Sequence, residues 1–127
     1  MADALRIGGK EAVAPRLLTA LFVIVRTPQP VRLGQIVPLR EPRTLIGRGR
    51  GVGFFLDDAS AAEVHAVVTH QETADGPGFY LYASEFNPTR INGMPADVRT
   101  RLHDGDRIEI GSTELVYRET ALGRGGS

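Results

Sequence analysis

Apolar residues in this chain come in short runs, and a turn-forming residue breaks nearly every one of them. Leu18–Thr27 is rich in β-branched and aromatic side chains, and Gln35–Leu39, Thr44–Gly47 and Phe54–Leu56 follow. Between them stand Pro38, Glu41-Pro42 and a glycine-rich stretch from 47 to 53. His65–Gln71 comes next, then Phe79–Ala83, where Phe79, Leu81 and Ala83 face one way and Tyr80 and Tyr82 the other. Arg107–Gly111 alternates again and Thr113–Arg118 closes the set. Asn92-Gly93 is the pair favoured in a tight hairpin with positive φ at both central residues, and Asp104-Gly105 marks a second turn. No segment of about a dozen residues sustains helical periodicity. The pattern predicts an all-β fold, a sandwich or a barrel, because each strand can bury only one face and needs a second sheet to cover it.

A chain of 127 residues holds one domain of ordinary size, and 42% apolar residues are enough to give it a core. The predicted organisation is an arm or linker over residues 1–16, a sandwich over 17–119 and a flexible tail over 120–127. Fifteen basic and fifteen acidic residues give a formal net charge of zero. That balance argues against nucleic acid as a direct partner, since such binding rests on a surplus of Lys and Arg to neutralise phosphates. Lys10 is the single lysine, so nearly all positive charge is arginine, the side chain suited to two-pronged recognition of oxyanions. Without cysteine there is no disulfide framework, thiolate metal site or thiol nucleophile, which fits a cytoplasmic setting. The most apolar run, Leu17 to Val25, is too short to cross a bilayer and reads as a buried strand.

Candidate chemistry thins out on inspection. The glycine-rich loop Gly47-Arg48-Gly49-Arg50-Gly51-Val52-Gly53 lacks the lysine and the following helix of a nucleotide site. His65 and His70, five residues apart along a strand, project from opposite faces, and His103 is remote in sequence, so no metal is expected. His65 reads as a buried, hydrogen-bonded structural residue. Asp57, Asp58, Asp104 and Asp106 lie in turns, where aspartate bonds to backbone amides, and nothing sets a nucleophile or base beside them. Ser60, Ser84 and Ser112 have no nucleophile-elbow context. The chain reads as a binding protein, not an enzyme.

The order of the features says more than any one of them. Gly47-Arg48 ends a strand, His65-Ala66 opens another, Asn87 to Gly93 forms a loop and hairpin, and Leu102-His103-Asp104-Gly105-Asp106-Arg107-Ile108 follows. Over roughly residues 19 to 118 this series resembles the forkhead-associated (FHA) domain. The family pattern is Gly-Arg, Ser-x-x-His, Asn-Gly-Thr-x-x-Asn-Gly and Leu-x-x-Gly-Asp-x-Ile. The resemblance implies a two-sheet twisted β-sandwich whose loops at one end bind a phosphothreonine peptide of a Ser/Thr kinase pathway. It implies phosphopeptide contacts from Arg48, Ser60, Asn87 and Asn92, with Gly47, His65, Thr89 and Gly93 supporting the loops. It implies no cofactor and no metal, because arginine and loop donors suffice.

The chain departs from that pattern at the phosphate grip. The family's serine falls on Ala62, its neighbour is Glu63, the residue before Asn87 is Phe86, and the glycine after it is Pro88. Two lost hydrogen bonds to a charged group are worth roughly 3–6 kcal/mol, on the order of a hundredfold to ten-thousandfold in affinity. Two readings therefore stand. One is a phosphothreonine-binding module in signalling. The other is a degenerate domain that holds proteins, or itself, without phosphate, with Phe86 as an apolar anchor. Arg48 either grips phosphate or forms a surface ion pair with Asp57 or Asp58.

Overall fold

The computed structural model describes residues 17–122; the arm expected at 1–16 and residues 123–127 of the tail expected at 120–127 lie outside them. Among the described residues eleven strands follow one another, interrupted by a single 3-10 turn at Pro30–Arg32. They are β1 (Leu17–Arg26), β2 (Ile36–Pro38), β3 (Arg43–Gly47), β4 (Phe54–Phe55), β5 (Ala66–Thr73) and β6 (Gly76–Ala83). β7 (Thr89–Ile91), β8 (Met94–Pro95), β9 (Arg99–Arg101), β10 (Arg107–Ile110) and β11 (Thr113–Leu122) complete the set. Six of them form one sheet in the order β2-β1-β11-β10-β7-β8, and five form the other in the order β4-β3-β5-β6-β9. Every pairing is antiparallel except β3 with β4. This is the two-sheet sandwich the punctuated pattern predicts.

Alternation decides which residues meet between the sheets. β1 and β11 form the longest ladder, and it turns Phe22, Ile24, Leu115 and Tyr117 inward. From the other sheet Ile46, Val68, Phe79 and Leu81 face them. Phe22 lies 5.9 Å from Phe54 and 5.8 Å from Tyr117 between ring centroids, a tilted and an edge-on contact that suit aromatic quadrupoles. Buried Tyr117 needs a partner for its hydroxyl and donates it to Glu119 Oε1 at 2.7 Å. Phe79 and Leu81 are buried while Tyr80 and Tyr82 lie outside, as the alternation predicts.

The turns show where local chemistry is decisive. Asn92 and Gly93 have φ of 54° and 83°, the paired left-handed geometry of the tight hairpin that joins β7 to β8. In the turn at Asp104-Gly105 only the glycine is left-handed, with φ 90°. β11 continues to Leu122, three residues past the boundary read at 119, because its partner β1 starts at Leu17 and the ladder pairs Leu17 with Leu122.

Candidate functional site

Register brings four connections to one end of the sandwich. Ile46 pairs with Ala66 and Ala66 with Ala83, so β3 ends where β5 starts and β6 ends. Thr89 pairs with Ile110, which adds the start of β7 and the end of β10. The rim is thus built from residues 48–53, 56–65, 84–88 and 111–112.

Two polar clasps lock these loops together. Asp58 is 3% exposed, and its carboxylate spans 54 residues of sequence. Oδ1 accepts from the Ser60 amide at 2.9 Å and the Ser60 hydroxyl at 2.5 Å. Oδ2 accepts from the Ser112 amide at 2.8 Å and the Thr113 hydroxyl at 2.7 Å. Burial pushes the carboxyl up, but the hydrogen bonds of Ser60, Thr113 and Ser112 together outweigh it and hold Asp58 below the usual carboxylate range. His65 is the second clasp and is 5% exposed. Its Nδ1 accepts from the Ala62 amide at 3.0 Å, so Nε2 carries the proton and donates to the Pro88 carbonyl at 2.9 Å.

Arg48 is seated by the same segment. Its amide donates to the Ala62 carbonyl, and that of Gly49 to the Glu63 carbonyl, both at 3.0 Å. Its Nε donates to the Ala61 carbonyl at 2.7 Å. A Cβ on Gly47 would lie 2.1 Å from the Glu63 carbonyl oxygen and one on Gly49 2.9 Å from it, so both glycines are needed for this close approach. Among the described residues the two terminal guanidinium nitrogens of Arg48 have no partner, and the side chain is exposed. Neither Asp57 nor Asp58 pairs with it, which removes the ion-pair alternative; Asp58 is committed to Ser60, Ser112 and Thr113. Three hydrogen bonds in series, Arg48 to Ala62, Ala62 to His65 and His65 to Pro88, tie the arginine loop to the loop of Asn87.

Asn87 sits in a tight turn, its amide bonded to the Ser84 carbonyl at 3.2 Å, and its side-chain amide has no partner among the described residues. Next to it Phe86 is 82% exposed. Beside the turn an open cleft of about 290 Å³ is lined by Ala83, Glu85, Pro88, Thr89, Pro95 and Ala96, among others. Thr89 is buried at the start of β7, where it supports this loop from below.

Two residues expected to touch a ligand, Ser60 and Asn92, have side chains engaged within the fold. The Ser60 hydroxyl gives its only proton to Asp58 and accepts from the Ser112 amide at 3.0 Å, so it braces the rim and offers it no donor. Asn92 lies at the far end of β7, where Ile91 pairs with Ile108. Its side chain donates to Asp106 Oδ1 at 2.9 Å and accepts from the Arg107 amide at 3.0 Å, which spends it on the β9–β10 connection. Gly93 stays with it in the hairpin. The carboxylate clasp was half visible in the sequence: Asp58-Ala59-Ser60 reads as an aspartate turn, but its second half, Ser112 and Thr113, carries no signal linking it to Asp58.

A rigid two-sheet scaffold with one rim of clasped loops, an outward arginine and an asparagine amide without a partner among the described residues defines a class of binding module. A family model for the FHA domain matches residues 44–111, and the chain belongs to the FHA family. Members of that family are interaction modules, so this is a protein-interaction domain. An FHA domain solved in a structural and functional analysis of phosphothreonine-dependent FHA interactions is similar, with 25% identity and a TM-score of 0.65 over 79% of this chain and 95% of its own. The FhaA FHA domain complexed with the intracellular domain of Rv3910 matches at 25% identity and TM-score 0.64, over 78% of this chain and 99% of that one. An FHA domain from Arabidopsis thaliana shares the fold at 22% identity and TM-score 0.67, over 89% and 92%. No curated protein sequence matches the chain.

Proposed function

We propose that the rim captures a phosphothreonine-bearing segment of a partner protein in a Ser/Thr kinase pathway. Arg48 takes the phosphate and Asn87 takes the partner's backbone. The observation that carries this reading is the state of Arg48: its Nε is anchored on Ala61 while its outer nitrogens are unengaged among the described residues. A guanidinium fixed at its inner edge presents a planar fork to phosphate oxygens at little cost in side-chain entropy. Ala62 supplies no hydroxyl, and exposed Glu63 repels a phosphate, so preference for the phosphorylated form rests on Arg48 and is modest. Two charge-assisted bonds offset by that repulsion leave roughly ten- to a hundredfold. The proposed setting is the cytoplasm.

Isothermal calorimetry with a degenerate phosphothreonine peptide library and its unphosphorylated twin tests the idea. Binding of the phosphorylated set, lost in Arg48→Ala, is the expected result. Equal heats for both sets, unchanged in Arg48→Ala, would sink it.

The degenerate reading has its own observation. Phe86 is 82% exposed on the rim, Met94 is 67% exposed at the start of β8, and Val98 is 75% exposed on the connection from β8 to β9. An aromatic side chain held out on a rigid turn is the form an interface anchor takes. On this reading, which rests on Phe86, partner capture or self-association survives phosphatase treatment and is lost in Phe86→Ala.

A further inference from the structure

The outer face of the five-stranded sheet has a composition that the rim does not explain. Residues of β3, β5, β6 and β9 that point away from the core align in two cross-strand rows. One row is Leu45, Val67, Tyr82 and Arg99; the other is Arg43, Thr69, Tyr80 and Arg101. Neither row contains a carboxylate. Arg101 finds one off the sheet, in Glu119 at 3.1 Å, but among the described residues Arg43 and Arg99 have none. The arrangement is fixed. The Arg99 guanidinium lies 4.1 Å from the Tyr80 ring centroid, donates to Gln71 Oε1 at 2.9 Å and reaches the Tyr82 hydroxyl at 3.2 Å. Gln71 donates to the same hydroxyl at 2.6 Å. With two donors already on its oxygen, the Tyr82 hydroxyl has its own proton left to give outward.

We propose that this face is a second contact surface, which takes a carboxylate-rich segment of a protein partner. Guanidiniums that have no carboxylate partner among the described residues and a phenol proton are all donors, and carboxylates are the side chains that accept from them in the matching planar geometry. Tyr and Arg are the residues that concentrate binding energy at protein interfaces, and here both are ordered before a partner arrives. Nucleic acid fits less well. Arg99 already covers the Tyr80 ring on which a base would stack, and the chain has zero net charge. The surface reaches the rim, because Tyr82 stands two residues before Ser84 on the same strand and loop. A partner held at the rim therefore has this face within reach.

The test is a titration of the ¹⁵N-labelled chain with an unphosphorylated oligoglutamate peptide, followed by NMR. Saturable, salt-sensitive shifts are expected at the amides of 67–71, 80–82 and 99–101. Arg43→Glu with Arg99→Glu is expected to weaken them at least tenfold, and Arg48→Ala to leave them unchanged. Arg43→Glu alone touches no hydrogen bond among the described residues, so it keeps the fold and is expected to show part of the loss. Shifts confined to the rim, or indifferent to the charge reversals, would overturn the proposal. So would displacement of the peptide by a single-stranded oligonucleotide that binds more tightly at the same ionic strength.

Discussion

Asp58 is where single-residue chemistry and global stability meet most directly. Its carboxyl has an ordinary value of 3.8 and is held lower in the fold by Ser60, Thr113 and Ser112 against the opposing push of burial. As pH falls the unfolded chain therefore binds the proton first. The carboxylate contributes its full stability above the ordinary value and loses it as pH drops through the folded-state pKa. Asp58→Asn leaves up to four donors short of an anion. It is expected to cost about 2–4 kcal/mol at neutral pH and to flatten the pH dependence of stability in the acid range. Urea unfolding of both forms across a pH series checks this, and an unaltered acid limb in the variant would contradict it. Four residues further along, Ala62→Ser places a hydroxyl on the segment that seats Arg48. One added charge-assisted bond is worth about 1.5–3 kcal/mol, so phosphothreonine binding is expected to tighten at least tenfold. Calorimetry that finds no gain would show the phosphate sits elsewhere.

At the scale of elements, the glycines of the β3–β4 connection position the arginine. A side chain at residue 47 would strike the Glu63 carbonyl and separate two segments joined by the Arg48 and Gly49 amides. Gly47→Ala is therefore expected to lose about 2 kcal/mol or more in denaturant titrations and to weaken phosphopeptide binding together with stability. Strands whose residues alternate between core and solvent were legible in the sequence, as β6 shows with Phe79 and Leu81 in and Tyr80 and Tyr82 out. β9 was not, because Arg99-Thr100-Arg101 has no apolar member; it is an edge strand defined by its pairing with Tyr80, Leu81 and Tyr82. β7 and β8 are so short that only the turn between them, Asn92-Gly93, announced a hairpin. The same blindness affected the site. Motif order located Arg48, His65 and Asn87, but side-chain direction follows from partners distant in sequence. Ser60 is drawn to Ser112 and Asn92 to Arg107, and neither attraction is written locally.

At the scale of the whole molecule, the central point is that the two sheets turn four connections to one rim and leave a guanidinium there whose outer edge has no partner among the described residues. The hydrogen-bonded series through Ala62, His65 and Pro88 makes the loops of Arg48 and Asn87 a single unit. The most direct measurement is side-chain ¹⁵N NMR of the chain during addition of a phosphothreonine peptide selected from the library. Shifts of the Arg48 guanidinium and the Asn87 side-chain amide, with the Asn92 amide unmoved, are the expected result. An Arg48 signal that stays in place while the peptide binds would contradict the account.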